Sequence, residues 1–343
     1  MANKGNDNGV GMSVLVTGAH GYVGPLVLRL LADRGIDARV CDPGWFLPAY
    51  TGTFPLPRAD HRDFRDLGLR ELEGLQAIIH LAGYSNDPTG WLCAEDTQEL
   101  NQRATVRLAR LAQEAGVETF VFSSSCSVFG ASEAVWVDED GPTAPLTPYA
   151  QSKLEAETAL MGLAGPGFRV AVLRGATAFG ASPLPRTDLL LNELCAEAAC
   201  GRPLILNSLG TSWRPFMPVG DFARALVAAA LTPPVRSSAR PVWNIAPPGM
   251  QMTVRDAAMR AARVAGVPDP IFPTGAVADR RSYRVDGRRF PADFPDFEYS
   301  TDFEGEIADC LAAFGAIPKL ARDLACNRFV RLAALRQARE MVT

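Results

Sequence analysis

The sequence predicts an α/β protein in which a doubly wound parallel sheet is followed by a smaller C-terminal cap. Three observations predict it: a glycine-rich turn directly after an apolar strand, strand and helix patterns that alternate through the first half, and a looser, proline-rich second half. Strands that alternate with helices form a parallel sheet with helices on both faces. Such a sheet binds ligands beyond the carboxyl ends of its strands, so we expect the functional residues there.

The first predicted element is a short apolar strand, Ser13–Val16, which runs into a glycine-rich turn and then into a helix over Pro25–Arg34. The glycines follow a G-x-x-G-x-x-G spacing, which lets backbone N–H groups approach a pyrophosphate at the positive end of the helix. A glycine-rich turn can also serve the chain reversal alone, so the context decides. We expect a dinucleotide to contact Gly18, His20, Gly21, Tyr22, Val23 and Gly24.

The second predicted strand, Ala38–Cys41, ends at Asp42, which lies 24 residues after Gly18. An acidic residue near that spacing accepts hydrogen bonds from the adenosine ribose hydroxyls, and its charge repels the 2′-phosphate of NADP. The sequence therefore predicts NAD as the cofactor, with Arg39 as the nearby residue that argues otherwise.

A charged stretch after this strand supplies two further candidates. Asp60 and His61 follow an extended segment, from which Asp60 can accept a hydrogen bond from the adenine amine. A solvated charged loop is an equally good interpretation of the same stretch. We therefore expect both residues to contact the cofactor, with a solvent-exposed loop as the alternative.

Further strands and helices continue the alternation to about residue 175. Strands are predicted over Ala77–Leu81, Thr119–Ser123 and Arg169–Leu173, and helices over Leu100–Ala115 and Pro148–Leu163. The first of these strands ends in Leu81, Ala82 and Gly83. Small residues there would let the dinucleotide lie flat over the backbone, and close packing is the alternative explanation.

Beyond about residue 175 the pattern loosens, apart from helices over Phe222–Leu231 and Val254–Ala265. The final run, Pro318–Met341, is predicted to be helical and amphipathic, and we assign it no chemistry. We divide the chain accordingly. Residues 1–11 are a disordered lead, residues 12–175 with the returning segment 215–245 are the dinucleotide-binding domain, and residues 176–214 and 246–343 are the substrate-binding cap.

A predicted chemical centre follows the strand that begins at Thr119. Its end reads Ser123–Gly130, and 24 residues after Ser125 come Tyr149 and, four residues later, Lys153. Positions i and i+4 share one helical face, which places the ammonium beside the phenol oxygen or a neighbouring ribose. Ionising a phenol with a pKa of about 10 near pH 7 requires roughly 4 kcal/mol, which a buried ammonium and a positive nicotinamide ring can supply. The pattern predicts Tyr149 as a base.

These motifs resemble, in order and over nearly the whole chain, those of the extended short-chain dehydrogenases/reductases, and more narrowly the NAD-dependent nucleotide-sugar epimerases and dehydratases. The resemblance implies a Rossmann-type doubly wound sheet and a catalytic triad of Ser125, Tyr149 and Lys153. It also implies that Asn101 supports Lys153 through a water. Cofactor contacts are then expected from Asn101, Ser123, Tyr149 and Lys153 as well.

Two later segments extend the resemblance toward the substrate. Thr177 stands where the family's Leu-Arg-x-x-Asn motif has the Asn that touches the substrate diphosphate, and Arg214 lies in a match to Arg-x-Phe-x-x-Val-x-Asp. Arg214 and Arg281 are candidates for gripping a pyrophosphate bidentately, with surface arginine as the alternative. The expected substrate contacts are Ser125, Thr177, Arg214 and Arg281.

The family mechanism leaves the name of the reaction open. A sugar hydroxyl loses its proton to Tyr149 and its carbon passes hydride to NAD; an epimerase then returns the hydride, whereas a dehydratase first eliminates water. The family's 4,6-dehydratases carry Asp-Glu directly after the catalytic hydroxyl residue, where this chain has Cys126 and Ser127. We therefore favour an epimerase acting on a nucleoside-diphosphate sugar. The alternatives are a dehydratase with Cys126 as acid, a ketoreductase or dehydrogenase, and a non-catalytic dinucleotide sensor.

Composition argues against several other functions. A net charge of −4 gives no basic surface for nucleic acid or anionic membrane. The chain has no apolar run of about 18 residues, and its seven cysteines are scattered without a C-x-x-C pair, so we expect no metal site and a cytoplasmic protein. The predicted helices Leu100–Ala115 and Pro148–Leu163 resemble those of the family's four-helix dimer interface, which predicts a homodimer.

Overall fold

The computed structural model describes residues 12–85, 87–131, 136–236, 240–273, 279 and 281–340. The predicted disordered lead, residues 1–11, lies outside the described residues. Nine strands are present in the described part of the chain. In chain order they are β1 Ser13–Thr17, β2 Asp37–Cys41, β3 Ala77–His80, β4 Thr119–Ser125, β5 Arg169–Gly175, β6 Thr177–Phe179, β7 Trp213–Pro218, β8 Val242–Ile245 and β9 Gln251–Thr253.

Six of these strands form one parallel sheet in the order β2-β1-β3-β4-β5-β8. Strand β1 is buried along its whole length, and its alternate residues face different layers. Val14 and Val16 belong to one hydrophobic core, and Leu15 belongs to the other. This period of two, with a buried layer on each side, is the pattern of a sheet covered by helices on both faces. The predicted fold class is confirmed.

Helices cover both faces of this sheet and surround the smaller one. The helices of the described chain are α1 Gly24–Ala32, α2 Leu69–Leu72, α3 Asp87–Leu92, α4 Ala94–Gln98, a π-helix Glu99–Ala104, α5 Thr105–Glu114, α6 Pro148–Met161, α7 Leu190–Ala199, α8 Val219–Leu231, α9 Val254–Ala265, α10 Arg289–Asp293, α11 Phe303–Gly315, α12 Leu320–Ala325 and α13 Arg331–Glu340. One face of the large sheet packs against α1 and α8, and the other against α5 and α6.

A smaller unit stands over the large sheet. Strands β6, β7 and β9 form a separate three-stranded sheet, and helices α7, α9 and α11 pack together around a third hydrophobic core. The returning segment 215–245 is shared between the two units, since its first residues lie in β7 whereas α8 and β8 join the large sheet. None of the described helices has both the length and the apolar character needed to cross a membrane.

Two predicted helices are interrupted. The run Leu100–Ala115 begins as the π-helix and continues as α5. The final run is two helices, because Asn327 adopts a left-handed backbone (φ 53°) just beyond α12. Asn at that position is a common way to end a helix. The break reorients the chain, so that α13 starts a new direction at Arg331.

Candidate active site

A cavity of about 730 Å³ lies beyond the carboxyl ends of the large sheet, with the smaller unit as its other wall. That volume falls in the range of ordinary ligand sites. It brings together most of the residues singled out in the sequence. Its lining includes Gly18, Gly21, Tyr22, Val23, Gly24, Asp42, Leu81, Ala82, Gly83, Ser123, Ser125, Tyr149, Thr177, Arg214 and Arg281.

The glycine turn leaves no room for side chains. Gly18 has φ 68°, and a Cβ there would lie 2.5 Å from the backbone nitrogen of Ala82; a Cβ on Gly24 would lie 2.1 Å from the carbonyl oxygen of Ala19. No side chain caps the first turn of α1. Pro25 of that turn has no N–H, and the Leu26 N–H donates to the Val23 carbonyl at 3.1 Å, so the N–H groups ahead of Pro25 are the ones left for an anion. The close-packed cradle around them fits the diphosphate of a dinucleotide.

Asp42 lies at the end of β2, buried and facing the cavity. One carboxylate oxygen accepts a hydrogen bond from the His20 backbone N–H (3.0 Å), and the other accepts one from the Gly44 N–H (2.7 Å). Burial raises the pKa of Asp42, and these two bonds oppose the shift. The carboxylate is thereby fixed in place at the position predicted for ribose recognition.

The structure does not bring Asp60 and His61 into this lining. The Asp60 side chain is 57% exposed and pairs with Arg62 at 2.9 Å, although its backbone runs beside the end of β2. Asp63 and Phe64 line the cavity on this side instead. An adenine contact from Asp60 or His61 therefore stays a prediction.

His80, at the end of β3, is a structural link that the sequence analysis did not identify. Its buried ring lies 2.7 Å from the Thr17 hydroxyl and 2.9 Å from the Thr105 hydroxyl. Burial lowers the pKa of His80 to about 3, with the charge of Lys153 adding to the shift. A neutral imidazole thus ties β1, β3 and α5 together beneath the cavity.

Asn101 holds the loop that follows β3. It lies in the π-helix, where its amide donates to the Tyr84 carbonyl (2.9 Å) and the Ser152 hydroxyl (3.1 Å) and its oxygen accepts the Tyr84 N–H (2.8 Å). Gly83 (φ 151°) passes so close that a Cβ would lie 2.6 Å from the Asn101 oxygen. Asn101 therefore positions the loop and α6; the expected water-mediated contact to Lys153 stays a prediction.

Ser125, Tyr149 and Lys153 meet at the end of β4. The Tyr149 side chain is hydrogen-bonded to that of Ser125, and the Lys153 ammonium donates to the Ser123 carbonyl at 2.8 Å. The same ammonium lies 6.0 Å from the centroid of the Tyr149 ring. Thr147 caps the first turn of helix α6, and Tyr149 and Lys153, four residues apart, share one face of that helix. Ser125 and Tyr149 line the floor of the cavity, and Lys153 is buried behind them.

The charges of this group are set by burial. Burial raises the pKa of Tyr149 to about 12, although the Ser125 hydrogen bond acts in the opposite direction. Burial also lowers the pKa of Lys153 to about 8, against the favourable charge of Glu157. The protein alone therefore keeps Tyr149 protonated at neutral pH. A further positive charge beside the phenol is needed before Tyr149 can act as a base.

Cys126 does not reach the cavity, which corrects its assignment as a candidate acid. Its side chain lies in the core, 1% exposed, and the thiol donates to the Arg174 carbonyl at 3.2 Å. Burial raises the pKa of the thiol well above its ordinary value. The neighbouring Ser127 lines the cavity, but Cys126 packs behind it. The thiol is a small core side chain in this structure.

The cap wall contains Thr177, Arg214 and Arg281, as expected, together with Asp279. Asp279 pairs with Arg214 at 2.8 Å and with Arg281 at 2.7 Å. Arg281 also pairs with Asp87, so it joins the cap to α3. Asp279 and Asp87 accept hydrogen bonds from the same guanidinium N–H groups that a diphosphate would use. The two arginines are therefore already oriented for a phosphate ligand.

Two arginines of the lining, Arg186 and Arg331, were missed by the sequence analysis. Arg186 forms a bidentate pair with Asp188 (2.9 and 3.0 Å) and donates to the Ser85 hydroxyl at 3.1 Å. Arg186 lies in a proline-rich loop whose hydrophobic pattern has no helix or strand period. The only sequence feature that could have marked it as a site residue is its charge among apolar neighbours. Arg331 lies in the final helical run, where nothing distinguished it from solvent-facing arginines.

A dinucleotide cradle next to a Ser-Tyr-Lys group defines a nicotinamide-dependent enzyme of the short-chain dehydrogenase class. The model of the NAD dependent epimerase/dehydratase family matches residues 14–246, and the chain belongs to that family. The recognised resemblance and the predicted cofactor, NAD, are thereby confirmed. The description of the family covers both epimerases and dehydratases, so the family alone does not select the reaction.

Known proteins agree with this assignment. A UDP-glucose 4-epimerase of Azospirillum brasilense is 33% identical over 237 residues, which cover 64% of this chain and 68% of that protein. The structure of MoeE5 in complex with UDP-glucuronic acid and NAD is 28% identical, with a TM-score of 0.74 over 88% of this chain and 98% of that one. TunA, an NAD-dependent NDP-hexosamine 5,6-dehydratase, is 23% identical with the same TM-score over 90% and 99%, which shows the shared fold.

Proposed function

We propose that this protein is an epimerase that inverts one carbon of a nucleoside-diphosphate sugar through a transient keto sugar. The observation that carries the proposal is the Ser125–Tyr149–Lys153 group at the floor of a cavity whose cap wall holds Arg214 and Arg281. The first group suits proton removal from a sugar hydroxyl. The second suits a diphosphate, since paired guanidinium groups bind phosphate oxygens bidentately.

In this proposal Tyr149 takes the proton of the substrate hydroxyl, and Ser125 donates a hydrogen bond to the oxygen on which charge develops. Lys153, fixed by the Ser123 carbonyl, keeps its ammonium beside the phenol, and this arrangement alone leaves Tyr149 protonated. Bound NAD would supply the hydride acceptor for the same sugar carbon and the donor for return of hydride to the opposite face of the keto sugar, and its charged nicotinamide would supply the further positive charge that Tyr149 needs. Tyr149 then returns its proton to the sugar oxygen, which completes the turnover.

Epimerisation is favoured over 4,6-dehydration because the positions of the dehydratase acid and base hold Cys126 and Ser127. The Cys126 thiol is buried away from the cavity, and a serine hydroxyl is a weak base. Asp87, a cavity carboxylate, is engaged by Arg281 and by the Thr147 hydroxyl (2.6 Å). These contacts support an enzyme that does not eliminate water between its two hydride transfers.

The proposal extends to the substrate-binding cap and to the oligomeric state. Residues 176–214 and 246–343 would act as the substrate-binding cap, with Thr177 near the diphosphate. A homodimer through α5 and α6 completes the proposed form of the enzyme, and a monomeric mass in solution at micromolar concentration would contradict it. The related UDP-glucose 4-epimerases make UDP-glucose the first substrate to test.

The test is to incubate the purified protein with UDP-glucose and then with UDP-glucuronic acid, and to determine the mass and sugar configuration of each product. An isomeric product, formed with NAD retained at about one per chain, supports the proposal. A product lighter by one water would identify a dehydratase. A steady requirement for added cofactor would identify a reductase or dehydrogenase. Y149F, which keeps the ring and removes the hydroxyl, should lower turnover by about 10²- to 10⁴-fold.

A further inference from the structure

Arg331 is a buried cation at the wall of the cavity. It opens α13, its side chain is 3% exposed, and it lines the cavity together with Leu335 of the same helix. One guanidinium nitrogen donates to the Leu184 carbonyl at 2.9 Å, and the guanidinium carbon lies 4.2 Å from the centre of the Phe46 ring. These contacts hold the side chain in place without neutralising it.

No carboxylate of the described chain forms an ion pair with Arg331. Other buried arginines of the protein differ in this respect. Arg174 is paired with Glu157 at 2.7 Å, and Arg186 is paired with Asp188 at 2.9 Å. Burial lowers the pKa of Arg331 to about 9 and the nearby charge of Arg186 adds to the shift, whereas the charges of Asp188 and Asp42, which form no ion pair with it, oppose the shift. A buried charge is normally paired, so the missing anion has to come from the cavity.

The position of Arg331 identifies which ligand supplies that anion. Phe46 of the loop after β2 stacks on Arg331. The loop that holds Arg331 through the Leu184 carbonyl is itself bonded to the glycine turn, since the Ser182 hydroxyl donates to the Tyr22 carbonyl at 2.7 Å. The arginines at the cap end already have Asp279 as their partner. The Asp42 carboxylate, in turn, is already held by two backbone N–H groups. The remaining anion at this end is the diphosphate of the dinucleotide.

We propose that Arg331 binds the diphosphate of NAD, and that α13 is a wall of the cofactor site. This contact lies outside the segment matched by the family model, which ends at residue 246. It follows from the placement of the final helix, to which the sequence analysis assigned no chemistry. The proposal is independent of the reaction, because an epimerase, a dehydratase and a reductase would all bind the same dinucleotide.

The test compares R331M with R336M, since Arg336 is an exposed arginine on the same helix. Methionine keeps the apolar stem against Phe46 and removes the charge. The readout is the rate at which bound NAD exchanges with isotopically labelled NAD, together with the Kd values of ADP-ribose, adenosine and UDP. R331M should speed NAD exchange and raise the Kd for ADP-ribose by about ten- to a hundredfold, the range expected for loss of a charge-assisted hydrogen bond to phosphate. R336M should match the wild type.

Adenosine lacks the diphosphate, and UDP carries one but belongs at the cap end. Both should bind R331M and the wild type equally. Unchanged NAD exchange would overturn the proposal, as would equal weakening of adenosine and ADP-ribose, or a loss confined to UDP. If R331M is not recovered folded, R331Q takes its place, because the amide can still donate to the Leu184 carbonyl; the same outcomes then apply.

Discussion

The cofactor end of the cavity is shaped mainly by backbone, whereas the cap end is shaped by charged side chains. At the cofactor end, Gly18 and Gly24 sit where any side chain would overlap the main chain, and Asp42 is fixed by two backbone N–H groups. At the cap end, Arg214 and Arg281 are oriented by a shared carboxylate, Asp279. A backbone cradle tolerates almost no change, whereas a charge network loses function in increments.

The largest effect is expected at Gly24. A Cβ there would lie 2.1 Å from the Ala19 carbonyl oxygen, which the backbone cannot avoid without moving the cradle. G24A should therefore lower the free energy of unfolding by about 1–3 kcal/mol and raise the Kd for NAD at least about a hundredfold. Calorimetry and thermal unfolding measure both quantities.

The matched control for G24A is G220A, which also adds a methyl group to a glycine in a helix. Gly220 lies in α8, and a Cβ added there would meet no atom within 4 Å beyond its two chain neighbours and the adjacent backbone of its own helix. Because alanine favours the helix, G220A should raise the free energy of unfolding by up to about 1 kcal/mol and leave NAD binding unchanged. Equal behaviour of the two variants would show that the cradle is not close-packed.

The contrast also explains what the sequence could predict. Local spacing was enough to identify four site residues. A turn places Gly18, a strand end places Asp42, and one helical face places Tyr149 and Lys153. The partners of the cap arginines are different: Asp279 lies 65 residues from Arg214, and only the fold brings them together. Spacing could not show that Cys126 faces the core, nor that α13 turns Arg331 inward.

The next effect concerns pH at the cofactor end. His80 has a pKa of about 3 in the folded protein and about 6.5 when unfolded. Between these values the unfolded chain binds the additional proton, so the contribution of His80 to stability falls as pH falls below 6.5, by up to about 1.4 kcal/mol per pH unit. Denaturant unfolding between pH 4 and 7 should show this slope. H80Q should reduce the slope of stability against pH, whereas H61Q, a substitution at the surface, should leave that slope unchanged. If H80Q shows the same slope as the wild type, another group causes the pH dependence.

A smaller effect is expected at the cap end. Arg281 is 39% exposed and shares its ion pairs with Arg214, so its loss leaves part of the network in place. R281M should raise KM for the nucleotide sugar about tenfold with little change in kcat, and it should leave NAD binding unaltered. R288M, at an arginine that is 80% exposed and paired with Asp286, is the control. Weakened NAD in R281M would mean that the two ends of the cavity are coupled.

The smallest effect is expected at Cys126, which separates core packing from chemistry. The thiol is buried and its hydrogen bond goes to the Arg174 carbonyl, so C126A should lower the free energy of unfolding by about 1 kcal/mol and change kcat less than about twofold. C126S, whose hydroxyl can donate to the same carbonyl, should keep kcat equally well. A hundredfold loss of kcat in a folded C126A would place the thiol in contact with substrate and revive the dehydratase alternative. Retained activity in both variants would leave Tyr149 and its two partners as the source of the proton chemistry, at the end of the cavity that the large sheet builds.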